Sequence, residues 1–241
     1  MNDRIIGGIS KDAAKVVADF YRGFVKGKIY ETDQKTAEMC KLTENCFRDL
    51  NIAFANELSM ICDKQGIDVW ELINLANKHP RVNILQPGIG VGGHCISVDP
   101  WFIISQDNKN SKLIHTARKV NNNKTVWVMN KIKETLKKKK FKKNKKIKIA
   151  CLGLTFKPDT DDLRESRALR IARTLLNEGF EVSGVDPNID KNIGLPIMNI
   201  SEAIKWADIV CVLVKHHQFL KPKIKNKLMK LEVLDFCGVL K

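Results

Sequence analysis

The spacing of the apolar residues changes once along this 241-residue chain, near residue 145. Before that point they recur at helical spacing, and the stretch from Thr36 to Gln65 keeps this period for about eight turns before Gly66. After it, short apolar runs alternate with amphipathic segments, which is typical of a parallel, doubly wound sheet. The chain is therefore predicted to be an α/β protein, with an all-helical domain followed by a doubly wound domain.

The individual elements follow from the same spacing. In the first half, further helices are predicted over residues 11–27, over residues 68–79 and from about Ser111 into a lysine run; Asp68 and Glu71 form a capping-box pattern. In the second half, strands are predicted at 145–154, 180–187, 208–214 and 231–236, and helices at 165–179 and 201–207. The strand and helix spacing implies parallel pairing.

Targeting segments are not indicated by the sequence. No run of about 18 apolar residues occurs, and the opening MNDRIIGGISKDAAK lacks the apolar core of a signal peptide. Neither membrane insertion nor export is expected, so the predicted compartment is the cytoplasm.

The seven cysteines are scattered, with no C-x-x-C pair. This pattern argues against a disulfide framework and against a zinc ribbon, and no metal site is predicted. Cys151 and Cys211 lie inside apolar strand-like runs and are predicted to be buried. Cys95 differs because it follows four glycines within the stretch QPGIGVGGHCISVDPWF, residues 86–102.

The net charge of +15 is partly concentrated in a basic run, Lys137–Lys146. Lysine clusters supply sequence-independent affinity for phosphates, so nucleic-acid binding is one interpretation. However, the run contains one aromatic residue and no recognition motif, and it closes a helix, where lysines suit the negative end of the dipole. A solvated surface is the favoured interpretation, and no nucleic-acid partner is expected.

The glycines before Cys95 match G-x-G-x-x-G at Gly88, Gly90 and Gly93. The dinucleotide fingerprint follows a strand, opens a helix and precedes an acidic residue about 20 positions on, and this context is missing here. Two interpretations of the loop remain open on the residues alone. Cys95 is either a nucleophile activated by nearby cations and backbone N–H groups, or an incidental residue in a flexible loop.

Lys41, Asn45 and Arg48 form a row on one face of the long predicted helix. An ammonium, an amide and a guanidinium in this arrangement can hold and polarise an oxygen-rich ligand. A solvated helix stripe is the alternative, and composition alone favours it.

Four segments carry a resemblance to the UDP-glucose/GDP-mannose dehydrogenase family: KLTENCFRDLNIAFANEL, GIDVWELINLANKHPRVNILQPG, GVGGHCISVDPWF and LGLTFKPDTDDLRES. The resemblance covers nearly the whole chain. It implies a remnant of an N-terminal NAD-binding domain at residues 1–9, a helical dimerisation domain at 10–145 and a Rossmann-like UDP-sugar-binding domain at 146–241. The rest of the NAD-binding domain is expected to be missing.

The resemblance also implies an activity. Members use two NAD⁺ to oxidise the C6 alcohol of a nucleotide sugar to a carboxylate, and the GGHC..VDPWF loop is most similar to the branch acting on UDP-N-acetyl-D-mannosamine for polysaccharide assembly. UDP-N-acetylglucosamine 6-dehydrogenases share much of this pattern and are the alternative. A further alternative is a non-catalytic UDP-sugar-binding dimer. The implied partner is a second copy, bound through residues 36–65.

Residue roles are carried over by position. The resemblance implies that Cys95 is the nucleophile that captures an aldehyde, that Lys41 and Asn45 stabilise the oxyanion or orient water, and that Asp99 positions that water. Implied nucleotide-sugar contacts are Arg48, His79, Arg81, Gly92, Phe156 and Lys157, and in the family an arginine near the position of Arg81 reaches the partner subunit's ligand. Arg164 is implied to contact NAD. The glycine loop is expected to bring its backbone close to the sugar.

Overall fold

A computed structural model of the protein describes residues 2–138, 146–189 and 193–241. Its helices and strands follow the chain in the order β1 (Arg4–Gly8), α1 (Lys11–Arg22), β2 (Ile29–Asp33), α2 (Gln34–Gln65), α3 (Val69–Ala76), α4 (Asp99–Gln106), α5 (Lys112–Lys138), β3 (Lys148–Leu152), α6 (Arg167–Asn177), β4 (Glu181–Val185), α7 (Ile200–Trp206), β5 (Ile209–Val212), α8 (Pro222–Leu228) and β6 (Val233–Asp235). A short 3₁₀ helix, His217–Leu220, precedes α8.

The first elements form a parallel βαβ unit that the sequence did not predict. β1 and β2 pair in parallel from Arg4 opposite Ile29 to Gly8 opposite Asp33, and α1 connects them. The prediction of an all-helical stretch from residue 10 is therefore wrong at β2. This strand is short and its residues are half-buried or exposed, so it has no apolar run to reveal it.

The long helix predicted from the apolar spacing is confirmed as α2, which begins two residues earlier than expected. Asp33 caps its start, because its Oδ1 accepts the Thr36 N–H at 3.0 Å. Gly66 ends it in the left-handed conformation, at φ 70°. α2 packs along α5, and α4, which the sequence did not predict, packs against α2.

The second half forms a four-stranded parallel sheet in the order β4-β3-β5-β6, as the alternation of strands and helices predicted. Alternate residues of β3 enter two different cores. Ile149 and Cys151 pack with residues of α5 and α6, whereas Ala150 and Leu152 pack with residues of α7 and α8. Helices thus cover both faces, and α5 joins the helical segment to the sheet through one core.

The predicted boundary near residue 145 and most of the basic run lie outside the described residues. The described ranges contain no helix that is both long and apolar enough to cross a membrane.

Candidate active site

A cleft of about 410 Å³ lies where the helical segment meets the carboxyl ends of β3 and β5. Its walls come from α2, from the glycine loop, and from the turns that follow these two strands. Four of the residues implied to bind the nucleotide sugar line it together: Arg48, Gly92, Phe156 and Lys157. This position agrees with the rule that parallel sheets bind ligands beyond the carboxyl ends of their strands.

The glycines of the loop allow close approach to neighbouring protein groups. A Cβ on Gly90, at φ 112°, would lie 2.7 Å from the Asn121 carbonyl oxygen of α5. On Gly92 it would lie 2.4 Å from the Glu165 carbonyl oxygen, and on Gly93 2.8 Å from the Phe156 ring. These glycines let the loop pack against α5 and the 153–166 turn, and the expectation that the loop backbone also approaches the sugar stays a prediction.

Side chains from three helices hold the loop by hydrogen bonds that the sequence did not reveal. Asn56 Oδ1 accepts the Gly88 N–H at 2.8 Å, and Thr125 Oγ1 donates to the Ile89 carbonyl at 2.8 Å. Arg167 Nε donates to the Val91 carbonyl at 3.0 Å. Polar residues on helices are usually exposed, so no sequence signal separated these three from the solvated positions.

Cys95 lies at the tip of the loop and is exposed. Its carbonyl accepts the N–H groups of Val98 at 2.9 Å and Asp99 at 2.8 Å, so the thiol directly precedes α4. Asp99 Oδ2 in turn accepts a hydrogen bond from Asn45 Nδ2 at 2.5 Å. Two residues expected to act on water, 54 positions apart in sequence, are therefore neighbours one turn from Cys95.

Burial makes two of the other cysteines poor nucleophiles. Burial, with the charges of Asp49 and Asp99, raises the pKa of the Cys46 thiol to about 11. Burial raises the pKa of Cys151 to about 12. Only the thiolate is a strong nucleophile, so these groups are poor candidates for chemistry compared with exposed Cys95.

The other seven implied site residues do not line the cleft: Cys95, Asn45, Asp99, Arg164, Lys41, His79 and Arg81. Lys41 is exposed, one turn before Asn45, and its Nζ lies 3.2 Å from Glu44 Oε2. His79 and Arg81 are exposed in the turns after α3, where the N–H of Arg81 donates to His79 Nδ1 at 3.3 Å.

Arg164 is exposed on the 153–166 turn, within electrostatic reach of Cys95. The Arg164 guanidinium donates hydrogen bonds to the Asp162 carboxylate, with Nη2 2.6 Å from Oδ2. These hydrogen bonds lower the pKa of Asp162 to about 2. The same bonds raise the pKa of Arg164, and the negative charge of a Cys95 thiolate adds to that shift. His94 meets the Phe156 ring edge-on, with the centroids 6.5 Å apart.

Two further cations line the cleft and were missed by sequence reasoning, Arg167 and Lys215. Lys215 follows β5, and its Nζ donates to the Gly238 carbonyl at 2.9 Å. Its place just beyond the carboxyl end of a predicted strand is a signal that would have found it.

Among the described residues, Arg164 could contact NAD, but the turn after β1 does not form a dinucleotide-binding loop. Arg164 presents an exposed guanidinium within electrostatic reach of Cys95, which suits an anionic or amide group of a dinucleotide. The βα turn after β1 reads Gly7-Gly8-Ile9-Ser10 and is not a G-x-G-x-x-G cradle. Gly8 there lies against α1, since its Cβ would come within 2.5 Å of the Ala14 nitrogen.

Comparison with known proteins agrees with this architecture. Two models of the UDP-glucose/GDP-mannose dehydrogenase family match, the central domain at residues 35–123 and the UDP binding domain at residues 150–241. The chain is 53% identical to the UDP-N-acetyl-D-mannosamine dehydrogenase of Campylobacter jejuni over 98% of its own length. It is 51% identical to the NDP-N-acetyl-D-galactosaminuronic acid dehydrogenase of Ralstonia nicotianae over 99%.

Solved structures give the same result. The UDP-D-ManNAc dehydrogenase of Pyrococcus horikoshii superposes with a TM-score of 0.86 at 37% identity and covers 100% of the chain. The chain spans 57% of that structure, 57% of the Campylobacter relative and 56% of the Ralstonia relative. With both domain models matched in order and the fold shared throughout, the chain belongs to the UDP-glucose/GDP-mannose dehydrogenase family.

Proposed function

We propose that this chain carries the catalytic cysteine and the UDP-sugar site of an NAD-dependent enzyme that oxidises UDP-N-acetyl-D-mannosamine to UDP-N-acetyl-D-mannosaminuronate. The observation that carries the proposal is the position of Cys95. It is an exposed thiol, one turn from the Asn45–Asp99 pair, on the same loop that lines a cationic cleft.

The cleft suits a nucleoside diphosphate sugar. Arg48, Lys157 and Lys215 line it, and their positive charges match a diphosphate. The Phe156 ring lies between the Lys157 ammonium and the glycine loop. The sugar would then extend toward Cys95.

The chemistry assigned to this chain begins after an aldehyde has formed. NAD, when bound, accepts the hydride in each of the two oxidations. The Cys95 thiolate adds to the aldehyde carbon and gives a thiohemiacetal, because an aldehyde cannot lose a second hydride until a nucleophile has added. The second oxidation leaves a thioester on Cys95. Water attacks this carbonyl, the C–S bond breaks, and the acid and the free thiol are released.

Asn45, Lys41 and Asp99 would serve these steps. The Asn45 amide already donates to Asp99, so the pair can hold a water between an acceptor and a donor. Lys41 lies one turn away, and its flexible ammonium would leave Glu44 to stabilise the oxyanion when the sugar binds.

A homodimer through α2 belongs to the same proposal. The exposed side chains of Phe47, Phe54 and Ile61 recur every seven residues on this helix. An exposed apolar stripe of this kind favours packing against a second helix. In such a dimer, Arg81 and His79 would face the partner subunit's cleft rather than their own.

Residues 1–33 are proposed to belong with the dinucleotide-binding domain. The parallel βαβ unit ends at Asp33, and the match to the central domain begins at residue 35. These observations support a division at about residue 34 as our proposal, in place of the residue 9 expected from the sequence.

The test combines this chain with a separately expressed NAD-binding domain and measures NADH and acid production from UDP-N-acetyl-D-mannosamine. Cys95→Ser is expected to abolish acid formation while UDP-sugar binding by calorimetry survives. Cys40→Ser, at a half-buried cysteine on α2, is the matched control and should leave turnover unchanged. UDP-sugar binding without NADH from any combination would support a non-catalytic binding module instead.

The sugar is assigned by parallel assays. UDP-N-acetylglucosamine and UDP-N-acetylgalactosamine are compared at equal concentration, since one relative is named for a galactosaminuronic acid. A larger kcat/KM for either would move the assignment to that epimer.

A further inference from the structure

We infer that Arg167 is a positioning residue that couples the UDP-binding domain to the cysteine loop. This inference rests on the proposed function. Arg167 is the first residue of α6 and lines the cleft. Its Nε donates to the Val91 carbonyl and its Nη2 donates to Asn122 Oδ1, each at 3.0 Å. One side chain thus joins the sheet domain, the loop and α5.

Its point of attachment is close to the nucleophile. Of the three side chains that hold the loop, Asn56 and Thr125 belong to α2 and α5 and reach Gly88 and Ile89. Arg167 comes from the sheet domain and reaches Val91, four residues before Cys95. Cys95 thus lies between two anchors, Arg167 of α6 on the Val91 side and the Asn45–Asp99 hydrogen bond to α2 on the other.

The segment between Val91 and Cys95 has little freedom of its own. Gly92 is packed against the Glu165 carbonyl and Gly93 against the Phe156 ring, so both follow the turn that leads into Arg167. Phe156 also lines the cleft. A shift of the α6 N-terminus would move Cys95 relative to a sugar held by Phe156 and Lys157.

Arg167 is also anchored on the helical side. Asn122 Oδ1 accepts from Arg118 Nη2 at 3.2 Å as well as from Arg167. Arg118 Nη1 lies 2.6 Å from Asp49 Oδ1 on α2, next to Arg48. Two donors in one rigid plane are needed to reach Val91 and Asn122 together, and lysine has a single nitrogen.

The first experiment uses this chain alone and follows alkylation of Cys95 by iodoacetamide, with Cys40 as an internal reference. Arg167→Lys keeps the charge but has one nitrogen in place of the planar guanidinium. Because the loop that positions the exposed Cys95 thiol is then released, we expect its alkylation rate to change by up to about tenfold, the equivalent of one lost hydrogen bond. Arg170→Met, one turn along α6 on an exposed residue, is the control and should leave the rate unchanged. Equal Cys95 rates in wild type and Arg167→Lys would overturn the inference. Arg167→Met, which removes both the charge and the guanidinium, is the second variant in the same alkylation assay.

The second experiment uses the chain combined with its NAD-binding domain and adds O-methylhydroxylamine to trap free aldehyde. The first oxidation does not use Cys95, whereas capture of the aldehyde does. With Arg167→Lys we expect aldehyde to leave the site and be trapped by the reagent. The NADH formed per sugar should fall from two toward one, with UDP affinity unchanged. A uniform loss of both oxidations would assign Arg167 a merely structural role. Absence of NADH with the wild-type protein would instead refute the proposed function, and the alkylation result would still decide the role of Arg167.

Discussion

The α2–α5 interface and the four-stranded sheet bury side chains of opposite character. The two helices bury several polar or charged side chains beside their apolar ones: Asp49, Asn56, Ser59, Arg118, Asn121 and Lys124. The sheet buries aliphatic residues on both faces, among them Ile149, Leu152, Ile209 and Val212. Apolar packing is strong but non-directional, whereas hydrogen bonds fix relative positions. The sheet therefore supplies a stable platform, and hydrogen bonds from the helix pair and from Arg167 set the position of the cysteine loop.

Polar side chains of α2 and α5 also hold the cysteine loop. Asn56 accepts from Gly88 of the loop, and its Nδ2 donates to Asn121 Oδ1 at 2.9 Å. Asn121 donates to Asp49 Oδ1 at 2.7 Å, and Asp49 pairs with Arg118. Burial raises the pKa of Asp49, which the Arg118 charge opposes. The network is thus costly to build, and two of its buried atoms, Asp49 Oδ2 and Arg118 Nε, have no hydrogen-bond partner among the described residues.

The largest effect is expected from breaking this network at Asp49. Asp49→Ala leaves the Arg118 guanidinium buried without its counterion, and arginine cannot deprotonate to escape the cost. We expect a loss of about 3–5 kcal/mol in the free energy of unfolding, measured by urea denaturation. Asp49→Ala combined with Arg118→Met should recover much of that loss. If the single variant is as stable as wild type, the helix pair does not depend on its buried charges.

The next largest effect is expected in the sheet. Ile149 is fully buried in β3, so Ile149→Ala leaves a cavity and should cost about 2–5 kcal/mol. Unlike Asp49→Ala, this loss should not change Cys95 alkylation, because no hydrogen bond to the loop is removed. Ile149→Val, at about 0.5–1.5 kcal/mol, is the graded control. Faster Cys95 alkylation in Ile149→Ala would mean that core packing under α6, and not only the hydrogen bonds of Arg167, sets the position of the loop.

The same contrast explains what the sequence predicted. The strand at Lys148–Leu152 and the helix at Arg167–Asn177 were predicted because their buried residues are aliphatic and periodic. The buried polar positions of α2 and α5 could not be found in this way, since Asp49 and Arg118 are indistinguishable in sequence from solvated charges. The strand Ile29–Asp33 was missed for a similar reason, because it is only half-buried.

The candidate site also contains residues that the sequence predicted and contacts that it did not. Resemblance named Arg48, Gly92, Phe156 and Lys157, and the fold brings them to one cleft. The proximity of Asn45 to Asp99 depends on α4 packing against α2, which no local pattern indicated. Arg167 was missed because its role depends on a contact 76 residues away in sequence.

A smaller, pH-dependent effect is expected at Lys124. This side chain is buried beside Ser59, with its Nζ 3.7 Å from the centroid of the Trp127 ring, and burial lowers its pKa to about 7. In the unfolded chain the lysine pKa is about 10.4. Between these values the unfolded state binds more protons, so the folded state gains stability as the pH rises, and the penalty for burying the charge is fully present below pH 7.

Lys124→Met removes this titration. The stability of wild type relative to the variant should rise by up to about 1.4 kcal/mol per pH unit between pH 7 and pH 9, measured by urea denaturation at each pH. The difference between the two proteins cancels the contributions of other titrating groups. Parallel curves over this range would show that Lys124 is charged in the folded protein, satisfied by Ser59 and Trp127.

The smallest effect is expected at the end of α2. Gly66 caps the helix at φ 70°, and a Cβ there would meet no atom within 4 Å, so Gly66→Ala introduces backbone strain alone. We expect a loss of about 1 kcal/mol, measured as a lower Tm. Gly88→Ala is the matched control, because its Cβ also meets no atom within 4 Å and its φ is not in the left-handed range, so restricting the unfolded chain should leave stability unchanged or slightly higher. Since α2 is held along its length by the polar interface with α5, strain at one end should stay local. A loss from Gly66→Ala as large as that from Asp49→Ala would mean that the cap, and not the buried network, determines whether α2 stays in register with the loop.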